Sequence, residues 1–373
     1  MIRYLCIDDE GSDVINPIMS NLKDTSNEDL DIIHKRPQGF NVQIEEIQDR
    51  MNQQVYDGLI LDLRLDMFKN PEGEKANYRA FTLAQEIRSR VTEGKLFDFP
   101  IVLCAMHARM RKSYTTDDTS HNLYDAVYEK ETIPDNASEI ATELISLVKG
   151  YKTIKKQIES GRPPFYKIIC PDGVADNTLN SSILGIFEKK RPLHEYARFI
   201  LNELLRVPGP LIDETTLAAR LGIDIEQSSG WKKLRDLLPR KTAYRGAFSD
   251  GWQRWWSIYI EEWWRKLKFN PGPLSRVPAN DRVDCIKKAT KIKNIVKADP
   301  IEQGYSNRFW TICLGYHKPL DPVDGFLLEE AGERRPWQDK AYISIKAALE
   351  RKDGLKINRL EQDRLREIKR AKK

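Results

Sequence analysis

The chain has 373 residues, 40% hydrophobic and 31% charged, with a formal net charge of +5. That length can bury two independent cores at the usual domain size of roughly 100–200 residues, and no uninterrupted apolar run approaches the roughly 18 residues of a membrane-spanning helix. Residues 351–373 hold ten Lys or Arg against four Asp or Glu, a net +6 that leaves the rest of the chain near −1, so the basic balance is no argument for a nucleic-acid face on either domain.

The opening Met1-Ile-Arg-Tyr-Leu-Cys-Ile-Asp-Asp runs directly into a strand that ends in acids. It lacks the apolar core and small-residue cleavage site of a signal peptide, so the cytoplasm is the expected compartment. Residues 2–8, 55–62 and 100–105 are short apolar runs of the kind expected for strands buried on both faces. Amphipathic segments, Ile44 to Met51 and Phe81 to Val91, lie between them, and Val127-Tyr128 adds a further short strand. Strands alternating with helices predict a parallel sheet covered on both sides. Ile140, Leu144, Val148, Tyr151, Ile154 and Ile158 form the stripe of a last helix that runs toward Gly161-Arg-Pro-Pro, the predicted joint between domains. The five cysteines, Cys6, Cys104, Cys170, Cys285 and Cys313, are odd in number and far apart, which suits reduced core thiols.

Asp8 and Asp9 follow the first strand, Asp62 ends a later one and Lys130 follows the last. All four fall at carboxyl ends of strands, where open parallel sheets place their sites. Three clustered carboxylates repel one another unless a cation lies among them, and hard oxygen ligands point to Mg2+. The motifs Leu5-Cys-Ile-Asp-Asp-Glu, Tyr56-Asp-Gly-Leu-Ile-Leu-Asp-Leu-Arg-Leu-Asp, Pro100-Ile-Val-Leu-Cys-Ala and Val127-Tyr-Glu-Lys occur in order over the first 150 or so residues. Over this stretch the chain resembles the receiver domain of two-component response regulators.

The resemblance implies an α/β fold, a doubly wound five-stranded parallel sheet in the flavodoxin-like order 2-1-3-4-5. It implies that Asp62 is the phosphoacceptor, that Asp9 ligates Mg2+ directly and Asp8 through water, that the Arg64 carbonyl is a further ligand, and that Lys130 pairs with the carboxylate and then the phosphoryl oxygens. Such a domain catalyses its own Mg2+-dependent phosphorylation and dephosphorylation with phosphoryl groups from a sensor histidine kinase. The sequence departs from the family in three places. Ala105 stands where a Thr or Ser hydroxyl is usual, Val127 stands where the switch aromatic is usual with Tyr128 one place later on the opposite face, and Glu131 replaces the common proline after the lysine. The segments Asp66 to Ala80 and His107 to His121 are long for active-site loops, and His107 reads as a solvated loop residue.

The expected boundaries are a receiver over 1–150, a helical connector over 151–164, a mostly α-helical domain over 165–350 and a basic tail over 351–373, a solvated end. Tyr196 to Leu205, Trp252 to Leu267 and Tyr342 to Leu349 are its clearest helices. Glu214-Thr-Thr-Leu-Ala-Ala-Arg-Leu-Gly begins like a helix-turn-helix, but two acids and Gly230 follow where a recognition helix should lie. Trp252, Trp255, Trp256, Trp263 and Trp264 fall at helical spacing after Ser249, as expected of a packed stripe on a helix capped by that serine. No nucleophile elbow, P-loop or metalloprotease pair follows residue 160, so no separate enzymatic output is expected. Two outputs compete: a protein-interacting or phosphate-buffering domain, similar to receiver proteins of phosphorelay-based phage-defence systems that drain signal, and a DNA-binding transcription factor, the less favoured of the two.

Overall fold

The computed structural model describes all residues except 27, 70–72, 74, 111–121, 161–165, 171–182, 184–190, 330–333 and 372–373. The predicted joint at 161–164 and most of the predicted long loop after His107 lie outside the described residues. No helix among the described residues is long and apolar enough to cross a membrane. The chain divides into two units, the first made of the described residues of Met1–Gly173, Ser181–Leu201 and Arg245–Trp252, the second of the remainder.

In the first unit β1 (Ile2–Ile7), α1 (Ser12–Asp24), β2 (Leu30–Lys35), α2 (Phe40–Asn52), β3 (Gly58–Leu61), α3 (Ala80–Thr92), β4 (Ile101–Ala105), the single turn α4 (His107–Arg109), β5 (Ala126–Glu129) and α5 (Ile133–Glu159) follow one another. The strands form one sheet of order β2-β1-β3-β4-β5, parallel throughout. This is the order expected, and it is compatible with a flavodoxin-like α/β domain. Alternation along the strands feeds both faces. Leu5, Ile7, Leu59, Leu61, Ile101 and Leu103 share one cluster with Ile44 and Ile47 of α2 and Leu83 and Ile87 of α3. On the other face the Tyr4 hydroxyl donates to the Leu144 carbonyl of α5 at 2.8 Å. Opposite Tyr4 in the register sits Gly58, where a Cβ would lie 2.3 Å from the tyrosine ring. Any side chain there would displace the Tyr4 ring.

A buried ion network ties the amino end of β4 to its surroundings. Arg88 of α3 donates to Asp98 and Asp125, each at 2.9 Å, Asp125 accepts from the Tyr151 hydroxyl at 2.8 Å, and Asp98 accepts from the backbone and ring nitrogens of His194 at 2.7 and 2.8 Å. His194 belongs to the helix Leu193–Arg198, so a segment well beyond residue 150 is built into the first unit. Arg245–Trp252 is built in as well. The Ala247 nitrogen donates to the Ile168 carbonyl at 2.9 Å, and the Phe248 ring meets Tyr151 of α5 edge-on.

The second unit combines helices with short strands. Asp213 caps the helix Glu214–Leu221, and Gly222 ends it at φ 75°, where a Cβ would meet the Ala279 backbone at 2.7 Å. After β6 (Leu211–Ile212) and that helix come β7 (Ile223–Asp224), the helix Trp231–Leu237, β8 (Trp255–Trp256) and the helix Ser257–Lys266. No helix covers residues 224–230, and Gly230 sits immediately before a helix instead of inside one. Beyond them lie the helix Ala279–Thr290, β9 (Val296–Lys297), β10 (Thr311–Cys313), β11 (Lys318–Leu320), β12 (Gly325–Leu327) and β13 (Tyr342–Ser344). β7 pairs with β9, and the last four strands form a sheet of order β11-β10-β13-β12 that three-residue strands left invisible to periodicity.

The tryptophan stretch corrects the predicted capped helix while bearing out the burial of its rings. All five rings are buried, as a packed stripe requires. The helix begins only at Ser257, without a cap from Ser249, because Trp255 and Trp256 are drawn out straight by pairing with Ile212 and Leu211. The helix predicted from Tyr342 likewise starts at Ile345, with Tyr342–Ser344 in β13. The tail is less solvated than expected. Its helix Gln362–Ala371 buries Leu365, and Arg364 donates to the carbonyls of Gly325 and Val323 at 2.7 and 2.9 Å while lying over the Phe326 ring.

Trp264 is fully buried and its indole N–H donates to the Gly272 carbonyl at 2.8 Å. Trp264→Ala should therefore destabilise the second unit by about 3–5 kcal/mol, read by denaturant unfolding monitored in the near-ultraviolet.

Candidate functional site

The register of three parallel strands assembles the site. Ile7 pairs with Leu61, so Asp8 and Asp9 after β1 and Asp62 after β3 leave the sheet side by side. One carboxylate oxygen from each of Asp8, Asp9 and Asp62 lies within 4.8 Å of the others, and the three residues are buried. β4 pairs with β5 through Ala105 and Glu129, which delivers the next residue, Lys130, to the same end. Its ammonium lies 2.6 Å from Asp8, 2.9 Å from Asp62 and 3.2 Å from Glu10. The four residues singled out in the sequence are thus brought together.

Backbone amides hold the acids in place. Asp62 accepts from the Arg64 nitrogen at 2.8 Å, Asp8 from the Glu10 nitrogen at 3.0 Å, and Asp9 from the Met67 and Phe68 nitrogens at 2.6 and 2.8 Å. The loop after β3 is braced by Arg64, whose guanidinium meets Asp66 at 2.6 Å. Behind Asp8, His34 of β2 contacts the Asp8 carbonyl at 3.1 Å and the Ser12 hydroxyl at 3.2 Å. Sequence reasoning passed over Glu10 and His34. Glu10 was signalled by its place directly after the Asp-Asp pair. His34 carried no signal, because the strand that positions it was not located.

Burial and the neighbouring Asp8 charge push the Asp62 carboxyl up to about 6, against the pull of Lys130. Burial works against the Lys130 charge, yet Asp62 and Asp8 outweigh it and hold the ammonium well above its ordinary range. One ammonium amid buried carboxylates leaves negative charge uncompensated, so the cluster can take up a metal ion, and its all-oxygen donors suit a hard one. Burial pushes the Cys104 thiol up to about 12 and Cys6 well above its usual value; both are neutral thiols.

The three departures have structural counterparts. Ala105 is fully buried at the end of β4. Val127 packs against the cluster that contains α2 and α3, while Tyr128 points to the other side and donates to Glu143 of α5 at 2.5 Å. Glu131 accepts from the His107 nitrogen at 3.1 Å, and the exposed His107 ring meets Glu129 at 2.9 Å.

The geometry defines a class, a doubly wound parallel sheet with a buried acidic triad and a lysine at its carboxyl edge. Compared with protein-family models and with curated proteins, the chain matches none.

The raised Asp62 carboxyl gives a pH signature. Between about pH 4 and 6 the folded protein keeps a proton that the unfolded chain gives up, so this group's contribution to stability falls as pH rises through that window. In metal-free protein Asp62→Asn should therefore be more stable than the parent at pH 7, by on the order of 1–3 kcal/mol. The advantage should shrink to nothing below about pH 4 in paired thermal melts.

Proposed function

We propose that the chain is a response regulator whose Asp62 accepts a phosphoryl group from a sensor histidine kinase. The observation that carries this reading is the Lys130 ammonium held between Asp62 and Asp8 at the carboxyl edge of the sheet, with Asp9 alongside. A carboxylate oxygen of Asp62 attacks the phosphorus of a phosphohistidine, the P–O bond forms as the P–N bond breaks, and the imidazole nitrogen keeps the bonding pair and leaves. Lys130 steadies the carboxylate before transfer and the phosphoryl oxygens after it. Asp9 and Asp62, with Asp8 through water and the Arg64 carbonyl, would hold Mg2+, and such an ion would neutralise charge on the transferring oxygens. Hydrolysis of the acyl phosphate at the same site returns the free carboxylate.

For output, the reading favoured is a protein-interacting or phosphate-buffering protein, of the kind that drains signal in a phage-defence phosphorelay. Its support is local. Ala105 offers no hydroxyl to follow the phosphoryl group, and the displaced Tyr128 is anchored to Glu143, so little differs between the two states that phosphorylation could select. A DNA-binding transcription factor is the alternative, for which the helix Glu214–Leu221 and its turn glycine are the one favourable feature.

Incubated with a cognate kinase or a small phosphodonor, the protein should gain a base-labile acyl phosphate only when Mg2+ is present. Asp62→Asn should abolish labelling and Asp9→Ala should weaken metal binding; labelling that survived Asp62→Asn would remove the proposal. A beryllofluoride mimic at Asp62 should change dimerisation or DNA affinity by less than about tenfold, roughly 1.4 kcal/mol. A larger shift in sedimentation or DNA titration would favour the transcription factor.

A further inference from the structure

The second unit contains a cavity of about 500 Å³, within the roughly 300–1,000 Å³ typical of small-molecule sites. It lies between the helix Glu214–Leu221, β7 and the segment after β9 on one side, and the β10–β11 hairpin on the other. Its floor is aliphatic, built from Ala218, Ile223, Ala298, Ile301, Ile312 and Pro319.

The walls differ in sign. The segment beginning at β7 contributes Asp224 and Glu226, and the hairpin contributes Lys318. Most charges at the mouth are already engaged. Asp224 accepts from the backbone and side-chain nitrogens of Gln227, each at 3.1 Å, Glu302 pairs with Lys346 at 2.6 Å, and Asp299 pairs with Lys297. Among the described residues Asp224, Glu226 and Lys318 then have no ion pair; Asp224 is held by Gln227, and Glu226 and Lys318 are the exposed opposite charges of the lining.

The ligand chemistry follows by elimination. An anion would meet Glu226, a cation would meet Lys318, and a plain hydrocarbon would use neither charge. A molecule that carries one charge of each sign and an aliphatic body satisfies all three surfaces. We propose that this cavity binds a small aliphatic zwitterion, an amino acid or dipeptide, with its ammonium at Glu226, its carboxylate at Lys318 and its hydrocarbon chain on the floor. The second unit would then be a sensor of such a molecule. The proposal stands apart from the phosphoryl-transfer reading, since none of its residues touches the Asp62 site.

The test uses the full-length protein, titrated calorimetrically and by thermal shift with leucine, with leucyl-leucine and with N-acetyl-leucine amide, which keeps the side chain and lacks both charges. Saturable binding of leucine or leucyl-leucine is expected, with the preference between them separating amino acid from dipeptide, and none by the blocked analogue. Lys318→Gln and Glu226→Gln, both at exposed positions that leave the core intact, should each weaken binding by about tenfold or more. Absence of saturable binding at millimolar concentrations, equal binding of the blocked analogue, or indifference to both substitutions would each overturn the proposal.

Discussion

Burying acids is costly unless a cation compensates them, and in this protein the compensation comes from Lys130. Its ammonium is almost wholly buried and reaches Asp8, Asp62 and Glu10 at once. Two features of the first unit bring that contact about. The parallel register sets Asp8 beside Asp62, and the β4–β5 pairing carries Lys130 to them. Burial and the neighbouring Asp8 charge raise Asp62 against the pull of Lys130, and the carboxylate charge left uncompensated lets the cluster take up a metal ion.

Much of the first unit could be read from the chain because its determinants are local and dense. Runs such as Leu59-Ile-Leu and Ile101-Val-Leu-Cys-Ala fit strands buried on both faces, and acids at strand ends mark the edge where a parallel sheet keeps its site. β2 escaped notice because Leu30-Asp-Ile-Ile-His-Lys mixes polar residues into an edge strand with half its length toward solvent. The backbone amides of Met67 and Phe68 that hold Asp9 could not be read at all, since an amide is the same at every position and only the path of the loop decides what it meets.

The second unit was less legible for a different reason. Periodicity needs several turns or several alternations to rise above chance, and here strands of two or three residues interrupt short helices. The tryptophans illustrate the ambiguity. Trp252, Trp255, Trp256, Trp263 and Trp264 fit one helical face on paper, yet residues 255 and 256 are extended and paired with Leu211 and Ile212. Their burial was predictable from their size, whereas their backbone conformation was decided by a partner more than forty positions away. The tail shows the same limit, because Arg364 reads as one more solvated charge until Val323 and Gly325 supply the carbonyls it donates to.

The inclusion of Leu193–Leu201 and Arg245–Trp252 in the first unit bears on the order in which the molecule comes into being. A ribosome delivers the chain from its amino end, and the sheet with α1 to α5 is complete by Glu159. At that moment Asp98 still lacks His194, and the Tyr151 flank of α5 still lacks Phe248. The nascent sheet must wait with a buried-to-be carboxylate and an aromatic flank open to water while the chain up to Trp252 emerges, including the stretch Asn202–Tyr244 that belongs to the other unit. Domains usually finish in order of synthesis; here the first unit can close only once Trp252 has emerged, after a piece of the second unit has already been made.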